Sequence, residues 1–114
     1  MGLKKKEFAL QQKIEDEISR IKLPRPPEIF GIVEQRLGGS RMSVKCLDGL
    51  KRICRIPGRL KRHLWVREGD LVIVEPWEYA AKEKGDIVFK YRNSQVDWLK
   101  RQGKLKGIEM LEEF

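Results

Sequence analysis

The feature that most constrains this chain is a series of short apolar runs between Glu28 and Arg92, each ended by residues that favour a tight turn. The turn sequences are Gly38-Gly39, Asp48-Gly49, Pro57-Gly58 and Glu68-Gly69-Asp70. Glycine, proline and aspartate break regular structure or adopt the backbone angles of turns. We therefore predict five strands, at residues 29–35, 41–46, 51–56, 71–77 and 86–92.

No stretch between these strands has the pattern of the crossover helix that a parallel sheet requires, so the sequence favours a small closed barrel. A length of 114 residues supports one domain. The predicted fold class is all-β, a five-stranded OB-fold barrel, with an SH3-like barrel as the alternative. Gly31 falls inside the first strand, where glycine is typical of a sharp barrel bend or a bulge.

The two ends of the chain differ from the barrel. Residues 1–27 form a basic N-terminal extension, flexible or partly helical, that ends in a proline-rich linker. Its apolar residues recur at roughly helical spacing, and they are Phe8, Leu10, Ile14, Ile18 and Ile21. Residues 93–114 are predicted as a C-terminal helix followed by a short acidic tail. Asn93 or Ser94 is expected to cap that helix and Gly103 to end it.

Positive charge is concentrated in one part of the sequence. The chain carries a net charge of +8, and residues 41–67 contain nine lysine and arginine residues against one acid, Asp48. That segment alone accounts for the whole net charge. Cations grouped in this way favour a surface that binds a polyanion, and nucleic acid is the leading candidate.

Several classes of function find no support in the sequence. The longest apolar run is Leu71–Val74, far too short to span a membrane, and no secretory leader is recognisable, so a cytoplasmic protein is expected. Cys46 and Cys54 lack the spacing of metal ligands, and His63 is the only histidine. No phosphate-binding loop or nucleophile motif is present. We expect no metal, no cofactor and no catalysis.

The candidate RNA-binding residues fall into two groups. The first lies on predicted strands two and three and comprises Arg41, Lys45, Arg52 and Arg55. The second follows the Pro57-Gly58 stop and comprises Arg59, Lys61, Arg62, His63, Trp65 and Arg67. The sequence does not fix the hairpin register, so whether the first group shares one face stays open. Trp65 is suited either to stacking on a base or to the core, whereas Trp77 and Trp98 are predicted as packing residues.

A resemblance to a known family covers about residues 23–103. It is carried by the segments Leu37–Arg41, Cys46–Gly49, Arg52–Arg62, Trp65–Asp70, Pro76–Glu78, Asp86–Tyr91 and Gln95–Leu99. These segments, in this order, resemble archaeal and eukaryotic translation initiation factor 1A. The first 22 residues lie outside the pattern.

The resemblance implies an OB-fold that binds rRNA of the small ribosomal subunit near the A site. It implies a non-enzymatic factor that assists initiator tRNA binding, without contacting that tRNA directly, and start-codon selection. Expected partners are other initiation factors, including the GTPase factor 5B/2, and the factor itself is expected to be a monomer. In eukaryotic members an acidic C-terminal tail docks on the GTPase, and Glu109, Glu112 and Glu113 occupy the corresponding end here.

Two other functions are consistent with a small basic barrel. A single-stranded RNA chaperone of the cold-shock type would display several aromatic side chains on strands two and three, where this chain has arginine and lysine. An interaction module held by its terminal helices would carry its charge incidentally. Co-sedimentation with small ribosomal subunits at two salt concentrations distinguishes the three.

Overall fold

A computed structural model describes residues 2–61 and 64–105, with the side chains of residues 2–6 left out. The helices are α1 (Gly2–Ser19) and α2 (Asn93–Arg101). The strands are β1 (Ile29–Gly38), β2 (Arg41–Cys46), β3 (Lys51–Arg55), β4 (Leu71–Pro76) and β5 (Lys84–Lys90). One turn of 3-10 helix, Gly58–Leu60, follows β3 at the place where a short helical turn is expected from the basic stretch.

The five strands close into one barrel in the order β1-β2-β3-β5-β4. Strands β3 and β5 are parallel, and the other neighbouring pairs are antiparallel. This order and closure are those of the OB-fold. The predicted fold class is confirmed, and the observed strands agree with the predicted ones to within a few residues at their ends.

The barrel interior is filled by apolar side chains that alternate with outward residues along each strand. Ten residues form this core: Val33, Met42, Val44, Cys46, Cys54, Ile56, Val66, Val72, Val74 and Ile87. Both cysteines are buried and free, and burial raises the pKa of the Cys54 thiol to about 12. Within the described residues no group of three or more histidine, cysteine or acidic side chains is placed to hold a metal ion.

Gly31 allows strand β1 to lie very close to the side chains of its neighbours β2 and β4. A Cβ atom at this position would lie 2.5 Å from Val44 Cγ1 and 3.3 Å from Val74 Cγ2. The register shifts of β1 lie further along, between Val33 and Gln35 and between Arg36 and Gly38. Gly31 is therefore a site of tight packing, and the bulges that help β1 to curve fall outside it.

A second apolar cluster lies where α2 closes one side of the barrel. It contains Phe30, Leu71, Ile73, Tyr91, Leu99 and Leu105, and Val96, Trp98 and Ile21 pack against it. The packing role predicted for Trp98 is confirmed. The predicted helix cap is wrong: Arg92 is the N-cap residue, and the Gln95 side chain accepts a hydrogen bond of 2.8 Å from the Arg92 amide.

The C-terminal half of α1 is anchored on α2 through Glu17. Ser94 Oγ donates to Glu17 Oε2 at 2.5 Å, Arg92 forms an ion pair with Glu17 at 3.3 Å, and Gln95 Nε2 donates to the Glu17 carbonyl at 2.8 Å. The hydrogen bond from Ser94 and the charge of Arg92 hold the pKa of the Glu17 carboxyl below its ordinary value. The Tyr91 hydroxyl also donates to the Lys22 carbonyl.

The first half of α1 differs in its exposure. Phe8 is 72% exposed and Leu10 is 59% exposed, whereas Ile14 and Ile18 are half-buried. Among the described side chains of α1, those that contact the rest of the molecule thus lie in its later turns. Within the described part of the chain, no helix is long and apolar enough to cross a membrane.

Two N-terminal deletions test where the folded unit begins. Deleting residues 1–15 removes side chains that are exposed at residues 7–13 and 15 together with the half-buried Ile14, so the free energy of unfolding should change by less than about 1 kcal/mol. Deleting residues 1–22 also removes the hydrogen bonds of Glu17 and the packing of Ile21. This deletion should lower the free energy of unfolding by about 1–3 kcal/mol, and unfolding should stay cooperative. Urea denaturation followed by circular dichroism measures both. Loss of cooperativity in the longer deletion would show that residues 16–22 belong to the barrel core.

Candidate nucleic-acid interface

The register of β2 and β3 decides which basic side chains share a face. Arg41 lies opposite Arg55, and Lys45 lies opposite Lys51. Directly opposed residues of an antiparallel pair project from the same side of the sheet. Arg41, Lys45 and Arg55 therefore share the outer face, and Lys51, which the sequence argument left out of the candidate site, joins them.

Arg52 projects to the opposite side and is only 5% exposed. Its guanidinium donates to both carboxylate oxygens of Asp48, at 3.1 and 2.9 Å, and its Nε donates to the Ala81 carbonyl at 2.6 Å. Burial opposes ionisation of Asp48, but hydrogen bonds from Arg52 and the Leu50 amide outweigh it and hold the pKa of that carboxyl below its ordinary value. Arg52 is occupied inside the protein, and we remove it from the candidate contacts.

The second group of candidates lies on irregular backbone held by apolar anchors. Leu60 and Leu64 pack against the barrel core, Val66 is part of it, and the Leu64 amide donates to the Leu60 carbonyl at 3.0 Å. Between these anchors Trp65 is 79% exposed. Trp65 is thus a surface residue and the core alternative is wrong. Arg59, Lys61 and Arg67 are exposed on the same segment, while Arg62 and His63 lie outside the described residues.

Two grooves flank Trp65. The first has a volume of about 450 Å³ and is lined by the basic residues Arg36, Arg41 and Lys61. The second is lined by Arg67, Lys90 and Arg92, together with Glu17 and Asp70. The barrel therefore brings Arg41 of strand β2 to the same aromatic side chain as Lys61, which belongs to the basic segment of residues 59–67. Arg36 and Arg92 were missed by the sequence argument because only barrel closure places them beside Trp65.

The far end of the strand face has a different character. Arg55 pairs with Asp86 at 3.1 Å, and its guanidinium carbon lies 4.9 Å from the ring centre of Trp77. Trp77 Nε1 donates to Asp86 at 2.9 Å, and Lys84 Nζ lies 5.5 Å from the same ring centre. Trp77 is half-buried within these contacts, in keeping with its predicted packing role. Next to it, Tyr79 is 76% exposed, and no local sequence pattern marked it.

The fold and this surface define a small OB-fold protein whose basic face carries one exposed tryptophan. The chain belongs to the translation initiation factor 1A / IF-1 family, whose sequence model matches residues 18–112. That match confirms the family predicted from the sequence. It is a family of translation factors and not of enzymes, in agreement with the absence of a catalytic motif.

Archaeal relatives share about half of their residues with this chain. Translation initiation factor 1A of Pyrococcus abyssi is 52% identical over 96 residues, which cover 83% of this chain and 85% of that protein. The factor of the same name from Methanopyrus kandleri is 48% identical over 106 residues, covering 90% and 95%. A bacterial translation initiation factor, from a Wolbachia endosymbiont of Brugia malayi, has a solution structure with a TM-score of 0.47 and 29% identity, covering 58% of this chain and 78% of that one. The fold assignment rests on strand order and closure, because that score is below 0.5.

The different positions of Arg52 and Arg55 lead to a prediction about stability. Replacing Arg52 with Gln removes a buried guanidinium that bonds to Asp48 and to the Ala81 carbonyl, and should lower the free energy of unfolding by about 1–3 kcal/mol. The matched change Arg55→Gln removes an exposed pair and should cost less than about 1 kcal/mol. Urea denaturation of both variants measures the difference. Equal costs would mean that the buried guanidinium of Arg52 contributes no more to stability than the exposed pair of Arg55.

Proposed function

We propose that this chain is a translation initiation factor that binds the small ribosomal subunit near the A site through contacts with rRNA. The observation that carries the proposal is the exposed Trp65 between two grooves lined by basic residues, in a member of this family. In the cytoplasm it acts as a monomer that assists initiator tRNA binding and start-codon selection. No step of this role requires a cofactor or catalysis.

Each part of the surface supplies a different kind of contact. Long basic side chains bind phosphates and fix the position of the protein without reading sequence. An exposed indole can stack on an unpaired base, a contact that contributes about 1–3 kcal/mol. The proposed contact set is Arg41, Lys45, Arg55, Arg59, Lys61, Arg62, His63, Trp65 and Arg67, with Arg36 and Arg92 added because they line the grooves.

The charges nearest Trp65 are the best placed to act on a polyanion. Among the described side chains, no carboxylate lies within ion-pair distance of Arg41, Lys61 or Arg67. By contrast, Arg55 is paired with Asp86, and Lys51 is paired with Glu34. An unpaired surface cation exerts its full field on a ligand, while a paired one is partly neutralised. The Trp65 end therefore supplies most of the binding, and the outer strand face contributes less.

The cold-shock type of RNA chaperone fits this surface poorly. That class binds single strands on several aromatic side chains spread over the sheet face. Strands β2 and β3 contain no aromatic residue. An interaction module with incidental charge fits poorly too, because Arg36, Arg41 and Lys61 line one groove beside an exposed tryptophan.

Removing the charges of the basic segment tests the proposal. Replacing Arg59, Lys61 and Arg62 together with Gln keeps polar side chains that can form hydrogen bonds but removes three positive charges. If each contacts one phosphate, the slope of log affinity against log salt should flatten by roughly 2–3, at about 0.7–0.9 per contact. Subunit binding should weaken sharply at low salt and much less at high salt, since screening already suppresses these contacts in the wild type. Co-sedimentation with purified small subunits over a salt series measures both.

The matched control removes the same number of charges elsewhere. Lys82, Arg101 and Lys104 are exposed and line neither groove, so their replacement with Gln should change the slope much less. Far-UV circular dichroism should be unchanged in both triple variants. An equal loss of affinity in the two triple variants would mean that only the net charge of the protein matters for binding. Unchanged affinity and slope in the Arg59, Lys61, Arg62 variant would exclude the basic segment from the interface.

The last residues of the chain offer a second contact within the same function. Residues 108–114 alternate acidic and apolar side chains and lie outside the described residues. Short segments of this kind supply docking anchors for a partner protein. We infer that they bind the GTPase factor 5B/2 weakly. Deleting them should reduce capture of that purified factor and leave subunit RNA binding intact, and unchanged capture would refute the inference.

A further inference from the structure

Lys90 makes two contacts that the proposed RNA interface does not use. Its Nζ donates to the carbonyl oxygen of Trp65 at 2.6 Å and forms an ion pair with Asp70 Oδ2 at 3.2 Å. The same carboxylate oxygen accepts the backbone amide of Arg67 at 2.7 Å. Lys90 and Asp70 therefore hold the backbone on both sides of Val66. Lys90 holds it at Trp65, and Asp70 holds it at Arg67.

The two holding residues stand on the rigid part of the fold. Lys90 is the last residue of β5 and is paired with Val72 of β4. The Asp70 carbonyl accepts the Val33 amide of β1 at 3.0 Å, and the Asp70 amide donates to the Arg67 carbonyl at 3.1 Å. Three strands of the barrel thus fix the positions of these two side chains, while residues 64–67 have no regular secondary structure of their own.

We propose that Lys90 and Asp70 form a brace that positions Trp65 for stacking and that neither of them is an RNA contact. This inference rests on the proposed function. Lys90 is well placed for the role because its ammonium already has two acceptors, and its side chain is 28% exposed. Holding a binding residue in its bound geometry removes the ordering cost that association would otherwise carry. Without the brace, the indole has to be ordered by the RNA itself.

Two substitutions that change the net charge in opposite directions separate positioning from electrostatics. Lys90→Gln removes a positive charge and the two contacts of its ammonium, and Asp70→Asn removes a negative charge and with it the ion pair that holds Lys90. The brace predicts that both variants bind small subunits about three- to tenfold more weakly, the loss expected from one unordered side chain. If only the local field mattered, Lys90→Gln would weaken binding and Asp70→Asn would strengthen it. Lys90→Arg keeps both donated bonds and should restore most of the affinity.

The salt dependence gives a second readout. A lysine that contacts a phosphate contributes about 0.7–0.9 to the slope of log affinity against log salt. The brace predicts an unchanged slope in Lys90→Gln, with the same fold loss at low and high salt. Lys82→Gln, which removes one charge from a position outside both grooves, should leave affinity and slope near the wild type. A slope reduced by one contact in Lys90→Gln would make Lys90 an RNA contact and overturn the proposal.

Fluorine NMR tests the brace without any ribosome. The three tryptophans are replaced by 5-fluorotryptophan, and Trp65→Phe assigns the Trp65 resonance. In Lys90→Gln and Asp70→Asn that resonance should shift toward the value of free fluorotryptophan, while those of Trp77 and Trp98 stay in place. An unmoved Trp65 resonance in both variants overturns the brace even if subunits bind. Failure of the wild-type chain to bind subunits, with the expected NMR shifts, would refute the proposed function and leave the brace standing.

Discussion

Closure of the barrel is the constraint on which the rest of this structure depends. Strand β5 pairs with both β3 and β4, and it approaches β4 closely at Gly85, where a Cβ atom would lie 2.7 Å from Val74 Cγ1 and 3.1 Å from the Glu75 carbonyl oxygen. Gly31 permits a similar approach on the side of β1. Once the ring is closed, the register of each strand is fixed, and a shift by one residue would exchange its inner and outer faces. The position of every basic side chain on the strand surface follows from that register.

Arg52 shows how closure places one cation inside the protein, while the other candidate cations that the structure describes face outward. It joins the Asp48 turn, which connects β2 to β3, to the turn before β5 through the Ala81 carbonyl. Ala80, next to that carbonyl, adopts a φ of 56°, a left-handed conformation that costs about 1–2 kcal/mol for a residue with a Cβ. The hydrogen bond from Arg52 offsets part of that strain. The same arginine thus stabilises two turns at once, and the second of them carries the exposed Tyr79.

The sequence predicted the elements well because turn residues and apolar alternation are local properties. Gly38-Gly39, Asp48-Gly49 and Pro57-Gly58 end strands where predicted, and Arg59, Lys61 and Arg67 are exposed as the charge pattern suggested. The face of Arg52 could not be predicted, because Lys51 and Arg52 are adjacent cations and only the pairing of β3 with β2 decides which points inward. The surroundings of Trp65 depend on contacts with distant strands, through Arg36, Arg41 and Lys90, and these contacts have no local signature.

The charge counted from the sequence differs most from the charge available at the surface in one part of the chain, residues 41–67. Residues 41–67 hold the entire net charge of the chain, yet they differ in what they can offer a polyanion. Arg52 is occupied by Asp48, Lys51 by Glu34 and Arg55 by Asp86, so their charges are balanced locally. Among the described side chains, Arg41, Lys45, Arg59, Lys61 and Arg67 have no such partner within ion-pair distance. The cations that lack a carboxylate partner are therefore fewer than the sequence count suggests, and two of them, Arg41 and Lys61, line the groove beside the exposed Trp65.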